Sequence, residues 1–294
     1  MMIARSPKRL VVIAGAGPAG LAAALWADRL GIRPLLMEAE DRPGGQLLSY
    51  SLPVVDLPGF QAAPASALID TLVQQLRDLD AEPHLGMSVV DWDGTEIRLG
   101  DPLLTIKADW FFYAPGLRPR VLHIPGRKWI STESVSEIIE GPPGTVLVVG
   151  AGDRAVEGAI RLSEHGHQVT LLCRSEELRA RREFRERLLS TSVHVARNTR
   201  LIRIEESGRG RRAWIEGSDG VQEWEGERVL VRIGMEPRVL PSLAAVHDGV
   251  AYPQRLRMSI VGDAALPVPD RSLVAAMASS MRAVKAALHQ LGEL

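Results

Sequence analysis

The pattern that most constrains this chain is a glycine triplet set between two strand-like runs near the N-terminus. The run from Leu10 to Ala14 is short and aliphatic, the composition of a strand buried on both faces. Gly15-Ala16-Gly17-Pro18-Ala19-Gly20 follows directly, and a helical segment is predicted from Pro18 to Leu30. The first glycine permits a tight turn, the second admits a pyrophosphate close to the backbone, and the third allows tight helix–strand packing. The helix N-terminus presents free N–H groups to phosphate oxygens. A second apolar run, Arg33 to Met37, then delivers Glu38, an acid placed for the hydroxyls of an adenosine ribose. Together these features predict a dinucleotide site.

A chain of 294 residues has room for two domains, and 46% hydrophobic with 24% charged residues describes an ordinary globular protein. The net charge of −1 offers no global attraction to nucleic acid or an anionic membrane, and neither is expected as a partner. The uncharged stretch from Leu10 to Ala27 superficially resembles a signal peptide or a membrane span. The dinucleotide turn explains each of its glycines and Pro18, which the membrane alternative does not, so a cytoplasmic location is expected. Cys173 is the only cysteine, which excludes an intrachain disulfide, a CxxC and a cysteine-rich metal site. His165 and His167 flank Gly166, a predicted helix C-cap, and a surface role is expected for both. No metal site and no catalytic acid or base is predicted.

After Glu38 come a glycine-rich loop, Asp41 to Gln46, and a proline-punctuated stretch, Leu52 to Phe60. Ser66 to Leu79 has helical periodicity. Short alternating segments at Ser88–Trp92, Glu96–Leu99 and Leu103–Ala108 are separated by turns at Asp93-Gly94 and Gly100-Asp101-Pro102. Trp110 to Ala114 is another buried run. Ser134, Glu137 and the apolar pair after it predict a capped short helix.

The opening pattern then recurs. Thr145 to Val149 is followed by Gly150-Ala151-Gly152-Asp153-Arg154-Ala155, a helix to about His165, and a strand from Gln168 to Leu172. Aligning Gly150 with Gly15 places Cys173 where Glu38 stands, 23 residues after the first glycine in both units. The acid is missing, and Arg174 follows, with Arg179 five residues on. Cations there suit a ribose 2′-phosphate, which a carboxylate would repel. The first unit therefore suits a ribose with free hydroxyls and the second suits NADPH. The competing explanation for Arg174 and Arg179 is a solvated helix start crowded with Arg181, Arg182, Arg185 and Arg187.

Two such units in one chain suggest a flavoprotein that moves a hydride from nicotinamide to flavin. The ordered set GAGPAG with Glu38, the GGQ loop, LPGF, APG at Ala114–Gly116, IPG at Ile124–Gly126 and the second glycine motif resembles a known family. RxxxxRA at Arg174–Ala180, IGMEP at Ile233–Pro237 and VGDA at Val261–Ala264 complete it. The resemblance is to the thioredoxin-reductase-like branch of the pyridine-nucleotide disulfide oxidoreductases. It implies an α/β fold of two Rossmann-like three-layer domains, the NADPH domain inserted into the FAD domain. The expected division is 1–116 and 236–294 for FAD and 117–235 for NAD(P)H. It also implies that FAD is held by Gly15, Gly17, Gly20, Glu38, Gly45, Gln46 and Asp263, with Pro18, Ala19, Ala114, Gly116 and Gly262 at the same site. NADPH, with NADH as the alternative donor, would lie over Gly150, Gly152, Asp153, Arg154, Ala155, Arg174 and Arg179. A C-terminal helix from about Ser272 to Leu288 would aim its positive end at the flavin. A homodimer is implied as well.

The chain departs from that family at its redox centre. Thioredoxin reductases carry a CxxC upstream of the second glycine motif, and Arg127 to Thr145 contains no cysteine. The family's ATG has become Ala114-Pro115-Gly116, and Arg154 stands where a serine is usual. Without a dithiol, reduced flavin would pass electrons directly to an external acceptor, either a small molecule or a redox protein. Relatives of that kind act on ferredoxin, flavodoxin or low-molecular-weight disulfides, and this chain is short for either type. The alternative is a flavin-binding redox sensor or interaction protein that no longer uses NAD(P)H.

Overall fold

The computed structural model describes residues 9–50, 53–100, 104–208, 210–240 and 257–293. The chain divides into two compact units: one comprises the residues up to Arg118 and from Pro237 onward, the other Pro119–Glu236.

The first unit begins with β1 (Leu10–Ala14), α1 (Pro18–Arg29) and β2 (Arg33–Met37), followed by α2 (Ala65–Arg77). An antiparallel meander follows, β3 (Val89–Trp92), β4 (Glu96–Leu99) and β5 (Thr105–Lys107), and then β6 (Trp110–Tyr113). The chain leaves this unit through β7 (Leu117–Pro119). The second unit contains α3 (Val135–Glu140), β8 (Thr145–Val149), α4 (Asp153–Glu164), β9 (Gln168–Cys173), α5 (Arg182–Leu188) and β10 (His194–Arg197). Its remaining strands are β11 (Arg200–Ser207), β12 (Gly210–Gly217), β13 (Gly220–Gly226) and β14 (Arg228–Val231). The chain returns through β15 (Met235–Pro237) to β16 (Met258–Ile260) and α6 (Leu273–Leu291).

The same three-strand core, a glycine-motif strand between the strand after its helix and a later strand, is built twice, with the fourth strand added at opposite edges. In the first unit the parallel order is β16-β6-β1-β2, and in the second it is β10-β9-β8-β14. Val11, Val12 and Ile13 of β1 are fully buried, as a strand covered on both faces requires. The period-2 alternation sends them in opposite directions. Val11 and Ile13 pack with α1, α2 and α6, whereas Val12 and Ala14 pack with Trp92, Ile97 and Leu99 of the meander. In the second unit Val146 and Val148 pack toward α4 and α5, and Leu147 and Val149 toward β11 and β12. Each unit is thus three layers: helices, a parallel sheet and an antiparallel sheet. Each fully buried aliphatic side chain contributes about 1.5–3 kcal/mol.

The predicted helix over Ser66–Leu79 forms as α2 at Ala65–Arg77. The turn at Asp93-Gly94 joins β3 to β4, with Asp93 Oδ1 accepting from the amides of Thr95 and Glu96. Asp101, Pro102, Leu103 and Leu52 lie outside the described residues, as does the stretch 241–256. One expectation is corrected. His167 is buried rather than at the surface, and its Nδ1 accepts from the amide of Gly144 at 3.1 Å. Gly166 does turn the chain at the end of α4, with φ at +84°, but the side chain that follows turns inward to the Gly144 amide just before β8. Among the described residues, no helix is long and apolar enough to cross a membrane.

Candidate functional site

In sheets of this order, ligands bind beyond the carboxyl ends of the strands, where successive connections leave in opposite directions. In the first unit that place is the end of β1 beside β6. Gly15 turns there with φ at +102°, and a Cβ on it would sit 2.3 Å from the carbonyl oxygen of Ala114, just past β6. A Cβ on Gly20 would lie 1.7 Å from the carbonyl oxygen of Gly15, so α1 can approach β1 only because that residue has no side chain. Gly17 is different. The nearest atom to a Cβ there is the Gly45 Cα at 3.8 Å, an ordinary contact, so the fold itself does not demand glycine. What the missing side chain leaves is open backbone at the start of α1, a helix that begins with Pro18 and no capping side chain. Those are the features a phosphate needs.

Glu38 closes one side of this cradle. Its Oε2 accepts from the amide of Ala16 at 2.7 Å, its Oε1 accepts from Glu40 at 3.1 Å, and the residue is 8% exposed. Each carboxylate oxygen keeps a further lone pair for a ribose hydroxyl. Gly45 lies against Gly17, and Gln46 lies within reach of Gly116. On the other side, the Gly262-Asp263 turn sits on the first turn of α1, with a Cβ on Gly262 falling 2.7 Å from that of Ala19. Ser279 of α6 holds this turn by accepting from the Gly262 amide at 2.8 Å. Ser279 thus makes α6 a specific anchor for this turn, a contact between residues 17 positions apart that local spacing does not show.

Asp263 supplies the fit test for a cofactor. Its Oδ1 is buried with no hydrogen-bond partner, which costs free energy unless a ligand donates to it. Burial raises the carboxyl's proton affinity, while Arg271 and Gln46 partly offset this. The hydroxyls of a ribityl chain are donors of the required kind. The predicted residues of the first unit are thus brought together around the glycine turn, and they fit an FAD-type dinucleotide.

The second unit repeats the geometry. The Gly15 amide donates to Met37 O at 2.8 Å and the Gly150 amide to Leu172 O at 3.0 Å, so Glu38 and Cys173 occupy equivalent places. A Cβ on Gly150 would meet the carbonyl oxygen of Arg232 at 2.3 Å and the Cβ of Ala155 at 2.9 Å. A Cβ on Gly152 would meet nothing within 4 Å, and α4 starts there without a capping side chain. The open glycine again leaves room for a ligand.

The arginine-rich stretch after β9 separates into two groups. Arg181 pairs with Asp153, Arg182 with Glu186 and Arg187 with Glu164. Arg174, Arg179 and, on α5, Arg185 are exposed, and among the described residues none of the three has an ion pair. The Arg179 amide donates to Ala151 O at 2.8 Å, which fixes that residue beside the glycine loop. Asp153 has both carboxylate oxygens committed to the Arg181 amide and Nε, at 2.7 and 2.8 Å. Its charge at the loop mouth is thereby neutralised by a residue that the motif does not contain. Arg154 Nη1 lies 2.8 Å from Met235 Sδ. Cys173 is fully buried.

The chain is similar to several known proteins. The chain is 32% identical over 186 residues to a thioredoxin reductase of Peptoclostridium acidaminophilum, a match that covers 60% of this chain and 58% of that protein. It is 27% identical over 296 residues to a ferredoxin–NADP reductase of Leptothrix cholodnii, covering 85% of this chain and 80% of the relative. The chain thus spans little more than half the length of the first of these relatives. The structure of Lactococcus lactis thioredoxin reductase in its FR conformation aligns with a TM-score of 0.81 at 24% identity, covering 98% of this chain and 100% of the other, a likeness of fold. The family model for pyridine nucleotide-disulphide oxidoreductases matches residues 9–276, and the chain belongs to that family.

Proposed function

We propose that this protein is an FAD-dependent NAD(P)H oxidoreductase that passes electrons from NADPH through FAD directly to an external acceptor. Cys173 is the observation that carries this reading. It is the only cysteine and is fully buried at the end of β9, so no protein dithiol stands between flavin and acceptor. Bound FAD would supply the two-electron carrier that takes a hydride from nicotinamide and returns electrons to the acceptor. The chain's own part is binding and orientation. Glu38 would accept from the adenosine ribose, the N-terminus of α1 would hold the diphosphate, and Asp263 Oδ1 would accept from the ribityl chain. Arg174 and Arg179 would read the 2′-phosphate that distinguishes NADPH from NADH. The name of the L. cholodnii relative supports a ferredoxin-type acceptor, and a small disulfide or a quinone-like molecule satisfies the same chemistry.

One observation favours a second reading, a flavin-binding sensor that does not use NAD(P)H. Arg232 places a long side chain where the first unit has only the methyl of Ala114. Anaerobic titration of the FAD-loaded protein separates the two. Bleaching of the flavin absorbance by NADPH is the expected result, and an oxidised flavin after both NADPH and NADH would overturn the reductase reading.

A further inference from the structure

Residue by residue, Arg232 is the second unit's counterpart of Ala114. The Ala114 amide donates to Ala14 O at 2.8 Å and the Arg232 amide to Val149 O at 2.7 Å, each backing the first glycine of its motif. At the place where the first unit has a methyl group, the second has a half-buried guanidinium. Its Nη1 donates to Val231 O at 3.2 Å and its Nη2 to Glu133 O at 3.4 Å. Both partners are neutral carbonyls, and among the described residues no carboxylate pairs with Arg232 or with Arg154.

Burial lowers the hold of Arg232 on its proton, and the neighbouring charge of Arg154 lowers it further. Arg232 is half-buried and Arg154 exposed, and a half-buried guanidinium beside a second cation is costly unless an anion covers it. The nearest acid at the loop mouth does not help, because Asp153 is bound to Arg181. The chain therefore concentrates positive charge beside a glycine loop that is open at Gly152. Each guanidinium carries five donors in a planar fork, and the two carbonyl bonds of Arg232 leave several free for phosphate oxygens.

We propose that Arg154 and Arg232 form a two-arginine receptor for the diphosphate of a nicotinamide dinucleotide, a role that rests on the second unit being the hydride-donor site. The receptor is separate from Arg174 and Arg179. It reads charge common to NADP+ and NAD+, whereas that pair would read the 2′-phosphate alone. Donor binding in this unit thus leans on side chains where the first unit uses backbone.

The test is calorimetric titration of the FAD-loaded protein with NADP+, NAD+ and inorganic pyrophosphate, in wild type, Arg154→Ala, Arg232→Met, Arg232→Lys and Arg174→Ala. Arg154→Ala and Arg232→Met are expected to weaken both dinucleotides by the same factor, about ten- to hundredfold. Arg232→Lys should recover part of the loss, and Arg174→Ala should weaken NADP+ only. Met conserves the packing of the arginine stem, and a melting curve checks that each variant is folded. Unchanged or tighter binding of both dinucleotides in Arg154→Ala and Arg232→Met would overturn the proposal, since the arginines would then only crowd the glycine loop. If wild type binds pyrophosphate through these arginines yet binds neither dinucleotide, the donor-site reading and the dinucleotide assignment fall together, leaving a plain anion site. Dinucleotide binding that depends on them, without flavin reduction, would retain the receptor and reject the reductase.

Discussion

At Asp263, burial raises the proton affinity of a carboxyl whose Oδ1 has no partner. A carboxyl that binds its proton more tightly folded than unfolded contributes stability below the ordinary aspartate range. That contribution is lost as pH rises through the raised folded value. Asp263→Asn is therefore expected to raise the melting temperature of the FAD-free protein at neutral pH and to flatten its decline on going from acid to neutral. The same variant should bind FAD more weakly, read by flavin fluorescence. This opposite movement is the mark of a ligand-binding group maintained at a cost to the empty fold. At this scale the glycines, Glu38 and Asp263 were legible because their constraints are local or carried by an ordered motif. Arg181 on Asp153, Ser279 on Gly262 and Arg232 beside Gly150 were not, since each pair is distant in sequence and meets only through packing.

Helix starts show what local spacing can and cannot reveal. Ser134 and Glu137 form the reciprocal capping box that their spacing implied, with Ser134 Oγ accepting from the Glu137 amide at 3.1 Å. Ser134→Ala should cost about 1 kcal/mol in chemical denaturation, the usual value of an N-cap side chain. It should leave FAD binding unchanged, because the box belongs to α3 in the other unit. α6 is likewise capped by Ser272, whereas α1 and α4 begin on Gly17 and Gly152 with no capping side chain. Their first-turn amides are left for a ligand. The helix end near His165 fell where expected, but the exposure of His167 just beyond it did not. Gly166 announced the turn, but whether His167 then faced water or the β8 layer depended on where the neighbouring Gly144 amide lay.

For the molecule as a whole, the second unit is one continuous stretch, Pro119–Glu236, with apolar clusters on both faces of its sheet. Expressed alone, residues 119–236 are expected to unfold in a single cooperative transition by circular dichroism. Non-cooperative melting would show that the unit needs the rest of the chain. The first unit is assembled from two segments, and β16 completes its sheet beside β6 only after the second unit has been traversed. Motif order determined by itself that the chain has two dinucleotide units, which one carries the acid, and that no dithiol is present. Those are properties of short contiguous patterns, whose turns and helix starts are decided by nearest neighbours. Only the tertiary structure decided which arginines are neutralised, that His167 is buried, and that Arg232 stands at the second loop. Charge pairing and burial depend on residues brought together by the sheets, and no local spacing encodes them.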